Sequence, residues 1–259
     1  MLSDGEIGSQ LEPSWKCPAG PVNVWKVVEA DDGTGNKMRV SIQDVPKDPV
    51  RREEVIQLML DHYLADETIS SYLNLKSDPL ARKDLRVIWN YCMSQGITVG
   101  AYKLGESGEL LSLIGVNLLY VCTPETIKDV ANITERIQSP NQSKMIRVLW
   151  DLWDRSNEEY YKVFGEGPHI VGWGMFVAKQ FRGQKLGVEL LEARNKIGQK
   201  YKIPSTRTIF TSATSQSIAQ RAGFVSVFEI DYDKVVNDAG VIEFPGLKEK
   251  TLKIMAKRC

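Results

Sequence analysis

The chain has 259 residues, of which 42% are hydrophobic and 25% charged, an ordinary composition for a globular protein with a core of its own. Its 33 basic and 33 acidic residues cancel to a formal net charge of zero. Nucleic-acid-binding proteins normally carry an excess of basic residues that neutralises phosphates, and this composition has no such excess. The charge balance therefore favours a small-molecule partner over a nucleic acid.

The four cysteines, Cys17, Cys92, Cys122 and Cys259, include no close pair. This spacing matches neither a zinc site nor a disulfide framework. The first residues are polar and acidic, unlike a signal peptide, and no run approaches the ~18 apolar residues of a membrane span. We therefore expect a cytoplasmic protein with no bound metal and no membrane partner.

The first half of the chain predicts a tail, a hairpin, two helices and two paired strands. Residues 1–20 show no periodicity and are expected to form a flexible tail, followed by one domain over 21–259. Asp48-Pro49 and Asp78-Pro79 each place an N-cap before a proline at the first helical position. The expected elements are strands over 22–28, 37–45, 97–103 and 110–121 and helices over 50–64 and 79–93.

The second half of the chain predicts further strands and helices in alternation. Apolar residues at helical spacing predict helices over 144–164 and 186–201, and a shorter helix is expected over 215–222. Strands are expected over 170–178, 208–211, 224–230 and 252–256. This alternation predicts one α/β (α+β) domain built around a mixed sheet.

A phosphate-binding turn is predicted between the strand over 170–178 and the helix over 186–201. The connection contains Arg182-Gly183-Gln184-Lys185-Leu186-Gly187. A helix N-terminus has unpaired N–H groups and a partial positive charge, and both suit a pyrophosphate. Arg182 adds a guanidinium whose geometry fits phosphate oxygens, and Gly183 lets the backbone approach closely. The alternative is an ordinary strand–turn–helix connection with a glycine in the turn.

The turn and its flanks resemble the GNAT acetyltransferase superfamily, whose motif Gln/Arg-x-x-Gly-x-Gly/Ala follows the fourth strand of that fold. Here the motif reads Gln180-Phe-Arg-Gly-Gln-Lys185, and the similarity extends to Gln220-Arg-Ala-Gly-Phe224. Over 170–233 the pattern is similar to the insect arylalkylamine (dopamine-type) N-acetyltransferases in particular; it is fainter over 22–75. The resemblance implies a GNAT fold with a mixed sheet of about seven strands, acetyl-CoA as the coenzyme and a small primary amine as the substrate. We further expect a monomer.

The resemblance also implies which residues contact acetyl-CoA. The fourth strand of this fold splays from the fifth, often at a bulge, and frees a backbone N–H for the thioester. The implied contacts are the backbone of Phe176 and Val177, then Arg182, Gly183, Gln184, Lys185, Leu186 and Gly187, and finally Thr211 and Ser215.

Lys185 departs from the motif, because the family usually has its second glycine there. If the position requires a positive φ, a lysine costs about 1 kcal/mol or more. Its N–H is retained, and we expect its ammonium group to reach a phosphate of the coenzyme. The alternatives are a lysine that points to solvent or a weakened coenzyme affinity.

The reaction implied by the resemblance needs a base, because an alkylamine with a pKa near 10.4 is almost entirely protonated at pH 7. The family's general base is the glutamate of an Asp-Glu-Pro-Leu segment, which corresponds to Glu67 in Asp66-Glu67-Thr68. Thr68 replaces the proline. The alternatives are a solvated helix end at Asp66 and Glu67, and Asp66 as a substitute base.

The proton donor for the leaving thiolate is expected near the start of the helix over 215–222. Ser215 falls on the serine that the family uses near the thioester, and Ser212 is the second candidate. Serine before a helix is commonly an N-cap, so Ser212, Thr214 or Ser215 alternatively caps this helix, and one residue could serve both roles.

The acceptor amine is less strongly specified by the sequence. Five aromatic residues at helical spacing form either a wall for an arylalkylamine ring or ordinary core: Trp150, Trp153, Tyr160, Tyr161 and Phe164. Tyr72 is another wall candidate, and a polyamine would instead use Asp61 or Asp66. The alternatives to arylalkylamine acetylation are transfer of a longer acyl group, a polyamine or protein acceptor, and a catalytically weak regulatory module.

Overall fold

The computed structural model describes residues 12–32 and 34–259, so residues 1–11 of the expected tail lie outside the described residues. Residues 12–20 have no regular secondary structure, but two of them bond to the body of the protein. The Ser14 hydroxyl donates to Asp129, and the Cys17 N–H donates to the Gln95 carbonyl over 2.9 Å. The domain boundary near residue 20 remains a prediction.

Eight strands form one mixed sheet. They are β1 (Val24–Asp31), β2 (Lys37–Asp44), β3 (Val99–Leu104), β4 (Leu110–Cys122), β5 (His169–Val177), β6 (Ser205–Phe210), β7 (Val225–Asp231) and β8 (Thr251–Arg258). Their order is β1-β2-β3-β4-β5-β6-β8-β7, and the β5–β6 pair is parallel whereas the other pairs are antiparallel. The prediction of an α/β domain with a mixed sheet is confirmed, with eight strands in place of about seven.

Nine α-helical segments occur in the described part of the chain. They are α1 (Pro49–Leu58), α2 (Leu64–Asp66), α3 (Thr68–Tyr72), α4 (Pro79–Ser94), α5 (Pro124–Thr134), α6 (Pro140–Arg155), α7 (Asn157–Phe164), α8 (Leu186–Tyr201) and α9 (Ala213–Arg221). A π-helical turn, Met59–Tyr63, joins α1 to α2. None of these helices is long and apolar enough to cross a membrane.

Local capping explains where the predicted helices begin. Asp48 accepts hydrogen bonds from the N–H groups of Val50 and Arg51, and Asp78 does the same for Leu80 and Ala81. In each case the proline occupies the first turn, where its missing N–H costs nothing. Both predicted helix starts are confirmed.

Two helical predictions differ from the structure. The sequence analysis missed α5, although Thr123-Pro124 repeats the same capping device and forms a capping box with Thr126. The single helix expected over 144–164 is two helices that meet at Ser156, and α6 starts earlier because Ser139 caps it ahead of Pro140.

The sheet separates two hydrophobic layers. Helix α8 covers one face, where Leu190 and Ile197 pack against apolar residues of β2 to β5. Helices α1, α4 and α6 cover the other face, where Trp89 and Leu152 belong to the larger core. Because both faces are covered, a ligand reaches the middle of the sheet only where neighbouring strands separate.

Candidate active site

Strands β5 and β6 separate after a short parallel ladder. They pair only from His169 to Val171, opposite Ser205 to Arg207, and β5 then continues six residues further without pairing to β6. The Gly172 N–H donates to the Thr208 hydroxyl over 3.0 Å at the point of separation. The expected gap between these two strands is therefore present, and Gly172 lies at its closed end.

A β-bulge in β5 marks the same region. Leu119 pairs with Gly172 and Leu118 with Gly174, so Trp173 is an extra residue on the β5 side. Gly174 has a φ of 144°, and a Cβ at this position would lie 2.8 Å from the Met59 Cε atom. The bulge thus requires glycine and packs against the π-helical turn.

The pairing of β5 with β4 determines which backbone groups face the gap. The Ala178 N–H donates to the Ile114 carbonyl over 2.9 Å, and donor directions alternate along an antiparallel ladder. The N–H of Phe176 is therefore directed at β4, whereas those of Met175 and Val177 face the gap. Val177 fits the predicted backbone role; for Phe176 the prediction is wrong because its N–H serves the ladder.

The predicted phosphate-binding turn has an open row of backbone donors. Gly183 and Lys185 adopt positive φ values of 79° and 65°, and α8 begins immediately afterwards. The N–H groups of residues 183–188 donate to no other described residue. Lys185 thus takes the left-handed conformation that the glycine of the motif would supply.

Two polar side chains of this turn are engaged elsewhere. Arg182 forms an ion pair with Asp66 (2.6 Å between Nη2 and Oδ2), and its Nε donates to the Val177 carbonyl over 3.0 Å. Gln184 bonds to both backbone groups of Asp31 on β1, accepting from the N–H and donating to the carbonyl. These contacts hold the turn against α2 and β1.

The remaining positions of the turn differ in exposure. Lys185 is exposed and forms no ion pair within the described chain, so its ammonium group is available to a phosphate. Leu186 is buried in the core, and Gly187 is half-buried beside Ile218. Arg182, the expected phosphate cation, is thus paired with Asp66, whereas Lys185 forms no ion pair within the described chain.

Glu67 and Thr211 meet across the gap. The Thr211 hydroxyl donates to Glu67 Oε1 over 2.6 Å. The same carboxylate caps α3 by accepting from the N–H groups of Ile69 and Ser70. The solvated helix end predicted as the alternative is thus partly correct: Glu67 is a cap, but a half-buried one with its carboxylate held in place.

Ser212 and Ser215 form the capping box of α9. Each hydroxyl accepts from the backbone N–H of the other residue, over 3.2 and 3.3 Å, and Ser215 Oγ also donates to the Ser212 carbonyl over 2.9 Å. The predicted N-cap alternative is therefore present for this pair. Ser215 nevertheless reaches the cavity described next.

A cavity of about 200 Å³ joins Glu67 and Ser215 in one space, whereas Ser212, the third predicted catalytic residue, does not line it. It extends from the separated ends of β5 and β6 to helices α3, α4 and α6. Polar residues that line it include Glu67, Thr211, Ser215, Tyr63 and Arg194; its walls include Trp89, Tyr120, Trp150, Trp153 and Trp173. Residues distant in sequence thus share one compartment that carries a carboxylate, hydroxyls and aromatic rings.

The aromatic predictions divide into two groups. Trp150 and Trp153 line the cavity, as a substrate wall requires. Tyr160 and Phe164 lie on the buried face of α7 and belong to the core, whereas Tyr161 lies on the exposed face of the same helix. Tyr72 lies outside the cavity, packs edge-on against Phe244 and donates to the Pro245 carbonyl.

Two cavity residues were missed by the sequence analysis. Tyr63 lies on the π-helical turn, and its ring is 3.3 Å from the site of a Cβ on Gly174. Burial, and secondarily the charge of Glu67, raise the pKa of this phenol well above its usual value, so it stays protonated. Arg194 lies in the middle of α8, where a charged residue in an amphipathic helix gives no signal of a site.

No group of three or more metal-ligating side chains that could hold an ion occurs in the described residues.

No protein-family model matches the chain, and no curated protein matches it by sequence. Comparison with solved structures, in contrast, gives extensive matches. The protein designated arylalkylamine N-acetyltransferase 7 of the mosquito Aedes aegypti superposes with a TM-score of 0.78 and 22% identity, over 95% of this chain and 99% of that one. The chain has the GNAT fold.

Two further structures show the same similarity. Arylalkylamine N-acetyltransferase 2 of Aedes aegypti has a TM-score of 0.70 and 21% identity, over 85% of this chain and 98% of that one. The polyamine N-acetyltransferase of Drosophila melanogaster has a TM-score of 0.66 and 15% identity, over 90% and 100% respectively. The predicted GNAT fold, and the resemblance to insect arylalkylamine N-acetyltransferases, are confirmed.

Proposed function

We propose that the protein is an acetyl-CoA-dependent N-acetyltransferase that transfers the acetyl group directly to a small primary aromatic amine. The observation that carries the proposal is the cavity itself. Glu67, Thr211, the separated β5 backbone and an aromatic wall line one compartment, and the open N–H groups of residues 183–188 lie at the other end of the β5 strand. The solved structures with the same fold support acyl transfer to amines.

The residues present fit acetyl-CoA. The unpaired N–H groups of 183–188, the N-terminus of α8 and the Lys185 ammonium group would hold its pyrophosphate. When bound, the coenzyme supplies an activated acetyl carbonyl. The N–H groups of Met175 and Val177 face the gap and would stabilise negative charge that develops on the carbonyl oxygen.

Glu67 acts as the general base. It accepts a proton from the ammonium form of the substrate, and the free amine nitrogen then forms the amide bond as the carbon–sulfur bond breaks. The second proton that the nitrogen loses goes to the leaving thiolate, which departs as the free thiol. The Thr211 hydroxyl and the two capping N–H groups fix both carboxylate oxygens, so Glu67 cannot rotate away from the amine. Asp66 is unsuited to this role because its carboxylate is committed to Arg182.

The leaving thiolate needs a proton donor nearby. Ser215 reaches the cavity, but its hydroxyl donates to the Ser212 carbonyl, and Ser212 is occupied as the N-cap. Tyr63 has a protonated phenol at the bulge that forms no hydrogen bond with another described residue. We propose Tyr63 as the hydrogen-bond donor to the sulfur. Ser215 becomes a second donor when its single hydroxyl hydrogen rotates from the Ser212 carbonyl to the sulfur, and Ser212 positions Ser215.

The charges of the cavity favour an aromatic monoamine over a polyamine. A second ammonium group would need a second carboxylate, and Asp61 and Asp66 are the acids that the sequence offered. Asp61 pairs with Arg82, Asp66 pairs with Arg182, and neither lines the cavity. Trp150 and Trp153 suit the ring of an arylalkylamine instead.

Two measurements test the proposal. A thermal-shift titration with acetyl-CoA is expected to stabilise the protein, and the absence of any shift at millimolar coenzyme would favour a regulatory module. Free-thiol release is then measured with tyramine, dopamine, serotonin, agmatine and a lysine peptide. We expect turnover with the aromatic amines; turnover confined to agmatine or the peptide would contradict the substrate class. We further propose that the protein acts as a monomer without nucleic-acid or membrane partners. We also propose a cytoplasmic location, where a reducing environment would keep its four free thiols unpaired.

A further inference from the structure

Arg194 places a buried positive charge beside the cavity. Its side chain rises from the middle of α8 to the closed end of the gap between β5 and β6, and the residue is 1% exposed. A Cβ on Gly172 would lie 2.5 Å from Arg194 Nη2. Glycine at position 172 therefore makes room for the guanidinium at this point.

The hydrogen bonds of this guanidinium leave donors without acceptors. Nη1 donates to the hydroxyls of Thr206 and Thr208, over 3.1 and 2.6 Å, and Nη2 donates to Asn117 Oδ1 over 3.0 Å. The Nε–H is buried and has no partner. Since Nη2 carries two hydrogens and one is used, two of the five guanidinium donors remain unfilled within the described structure.

Without a ligand, the buried guanidinium of Arg194 has no opposite charge near it among the described residues, which is electrostatically unfavourable. All three partners of Arg194 are neutral, and it forms no ion pair with a described residue. A buried charge is normally compensated by an opposite charge, because removing it from water is energetically unfavourable. Burial lowers the pKa of Arg194 to about 9, so the side chain remains charged at neutral pH.

Arg207 shows how the same fold treats a buried arginine that has a structural role. Its guanidinium donates to the Trp153 carbonyl, to Ser156 and to Asn157, at the carboxyl end of α6. The partial negative charge of that helix end compensates the cation. The Arg207 Nε–H also lacks a partner among the described residues, but Arg207 does not line the cavity. Arg194 does line it; its guanidinium carbon lies 5.7 Å from the centre of the Phe224 ring, and it forms no ion pair with a described residue.

We propose that Arg194 binds a carboxylate that one of the two reactants carries into the cavity, either at the far end of the acyl group or on the acceptor. This inference rests on the proposed acyltransferase function and revises its substrates: an acetyl group and simple arylalkylamines carry no carboxylate, so acetyl-CoA or tyramine would be the weaker substrate beside a carboxylate-bearing counterpart. The Nη2 group, which has one N–H without a described partner, lies beside Gly172 in the wall of the cavity, and a guanidinium forms strong charge-assisted hydrogen bonds with a carboxylate. A carboxylate also supplies the missing counter-charge, which a neutral or cationic group cannot do.

The wild-type protein gives the primary test through two matched substrate pairs. Succinyl-CoA is compared with butyryl-CoA, which has a methyl group in place of the carboxylate, and tyrosine is compared with tyramine. Binding of the two thioesters is measured by calorimetry and turnover by thiol release. We expect the carboxylate member of one pair to be favoured by about 10- to 100-fold, the range of a charge-assisted hydrogen bond. The pair that shows the preference identifies which reactant carries the group.

Variants separate recognition from structural support. Arg194→Met is expected to abolish the carboxylate preference, and Arg194→Lys to retain part of it, because lysine keeps the charge without the fork. Arg207→Met is the matched control, a buried arginine outside the cavity, and should keep the preference. If Arg194→Met does not fold, the lysine variant and the wild-type pairs still decide the result.

Three outcomes overturn the inference. The first is a wild-type protein that prefers neither carboxylate substrate. The second is an Arg194→Met variant that lowers both members of a pair equally, which would assign Arg194 to holding the strands. The third is failure of every CoA thioester to bind, which would also overturn the proposed function; binding without a carboxylate preference overturns only the role of Arg194.

Discussion

Lys185→Gly tests how the phosphate-binding turn works with a lysine where the GNAT motif has glycine. Lys185 has a φ of 65° and a ψ of 2°, a left-handed conformation that costs a side-chain-bearing residue about 1–2 kcal/mol. Glycine removes this strain, but it also increases the entropy of the unfolded chain, which lowers the free energy of unfolding by about 0.5–1 kcal/mol. We therefore expect a net gain in the free energy of unfolding of about 0.5–1 kcal/mol, or about 1–2 °C in Tm for a chain of this length.

Lys202 provides a matched control at the opposite end of the same helix. It ends α8 with a φ of 56° and a ψ of 41°, so Lys202→Gly relieves similar strain away from the turn. Both glycine variants should gain similar stability, as measured by thermal and denaturant unfolding without coenzyme. A difference in coenzyme affinity between them then reports on the Lys185 ammonium group alone.

The affinity for acetyl-CoA is expected to fall when Lys185 is replaced. Arg182 is held by Asp66, so the pyrophosphate depends on Lys185 for a mobile cation, and an exposed ion pair of this kind contributes about 1 kcal/mol. Calorimetry at low salt should show a Kd raised about fivefold for Lys185→Gly and unchanged for Lys202→Gly. High salt should remove the difference. Equal binding by Lys185→Gly would refute this role, and tighter binding would show that the lysine weakens the affinity for acetyl-CoA.

Three further predictions follow from the site. Glu67→Gln keeps an oxygen to cap α3 but removes the base, so kcat should fall at least ~100-fold while Tm changes little; a normal kcat would exclude Glu67 as base. Ser215→Ala breaks the capping box and should lower unfolding stability by about 1 kcal/mol, with a loss of kcat only if its hydroxyl serves the thiolate. Burial lowers the pKa of His169 to about 4, so unfolding stability should fall as pH drops from about 6.5 towards 4. His169→Phe should flatten this dependence in acid denaturation, and an unchanged pH dependence would contradict the assignment to His169.

Local signals explain what the sequence predicted well. A cap and a proline act within one helical turn, so Asp48 and Asp78 predicted two helix starts correctly. The strand–turn–helix context likewise predicted the turn at Gly183, because a helix N-terminus exposes its donors whatever the rest of the fold does. Thr123 carried the same kind of signal for α5 and was overlooked.

The pairing of distant residues could not be predicted from local pattern. Arg182 and Asp66 are 116 residues apart, and Thr211 and Glu67 are 144 apart. Only the fold decides that the first pair neutralises Arg182 and that the second holds the Glu67 carboxylate in place. Arg194 is the extreme case, since its position in the middle of an amphipathic helix indicates neither burial nor a cavity.

The charges of the site are consequently interdependent. Asp66 pairs with Arg182, so in the proposed site the backbone of the turn and Lys185 remain for the phosphates, and Glu67 remains as the carboxylate for the amine. Among the described residues that line the cavity, Glu67 is then the acidic side chain and Arg194 the basic one, with aromatic rings between them. Such a cavity is suited to an ammonium group at the Glu67 end and repels a second cation at the other. The positive charge of Arg194 therefore has two effects: it disfavours a polyamine, and it favours an anionic group on one of the reactants.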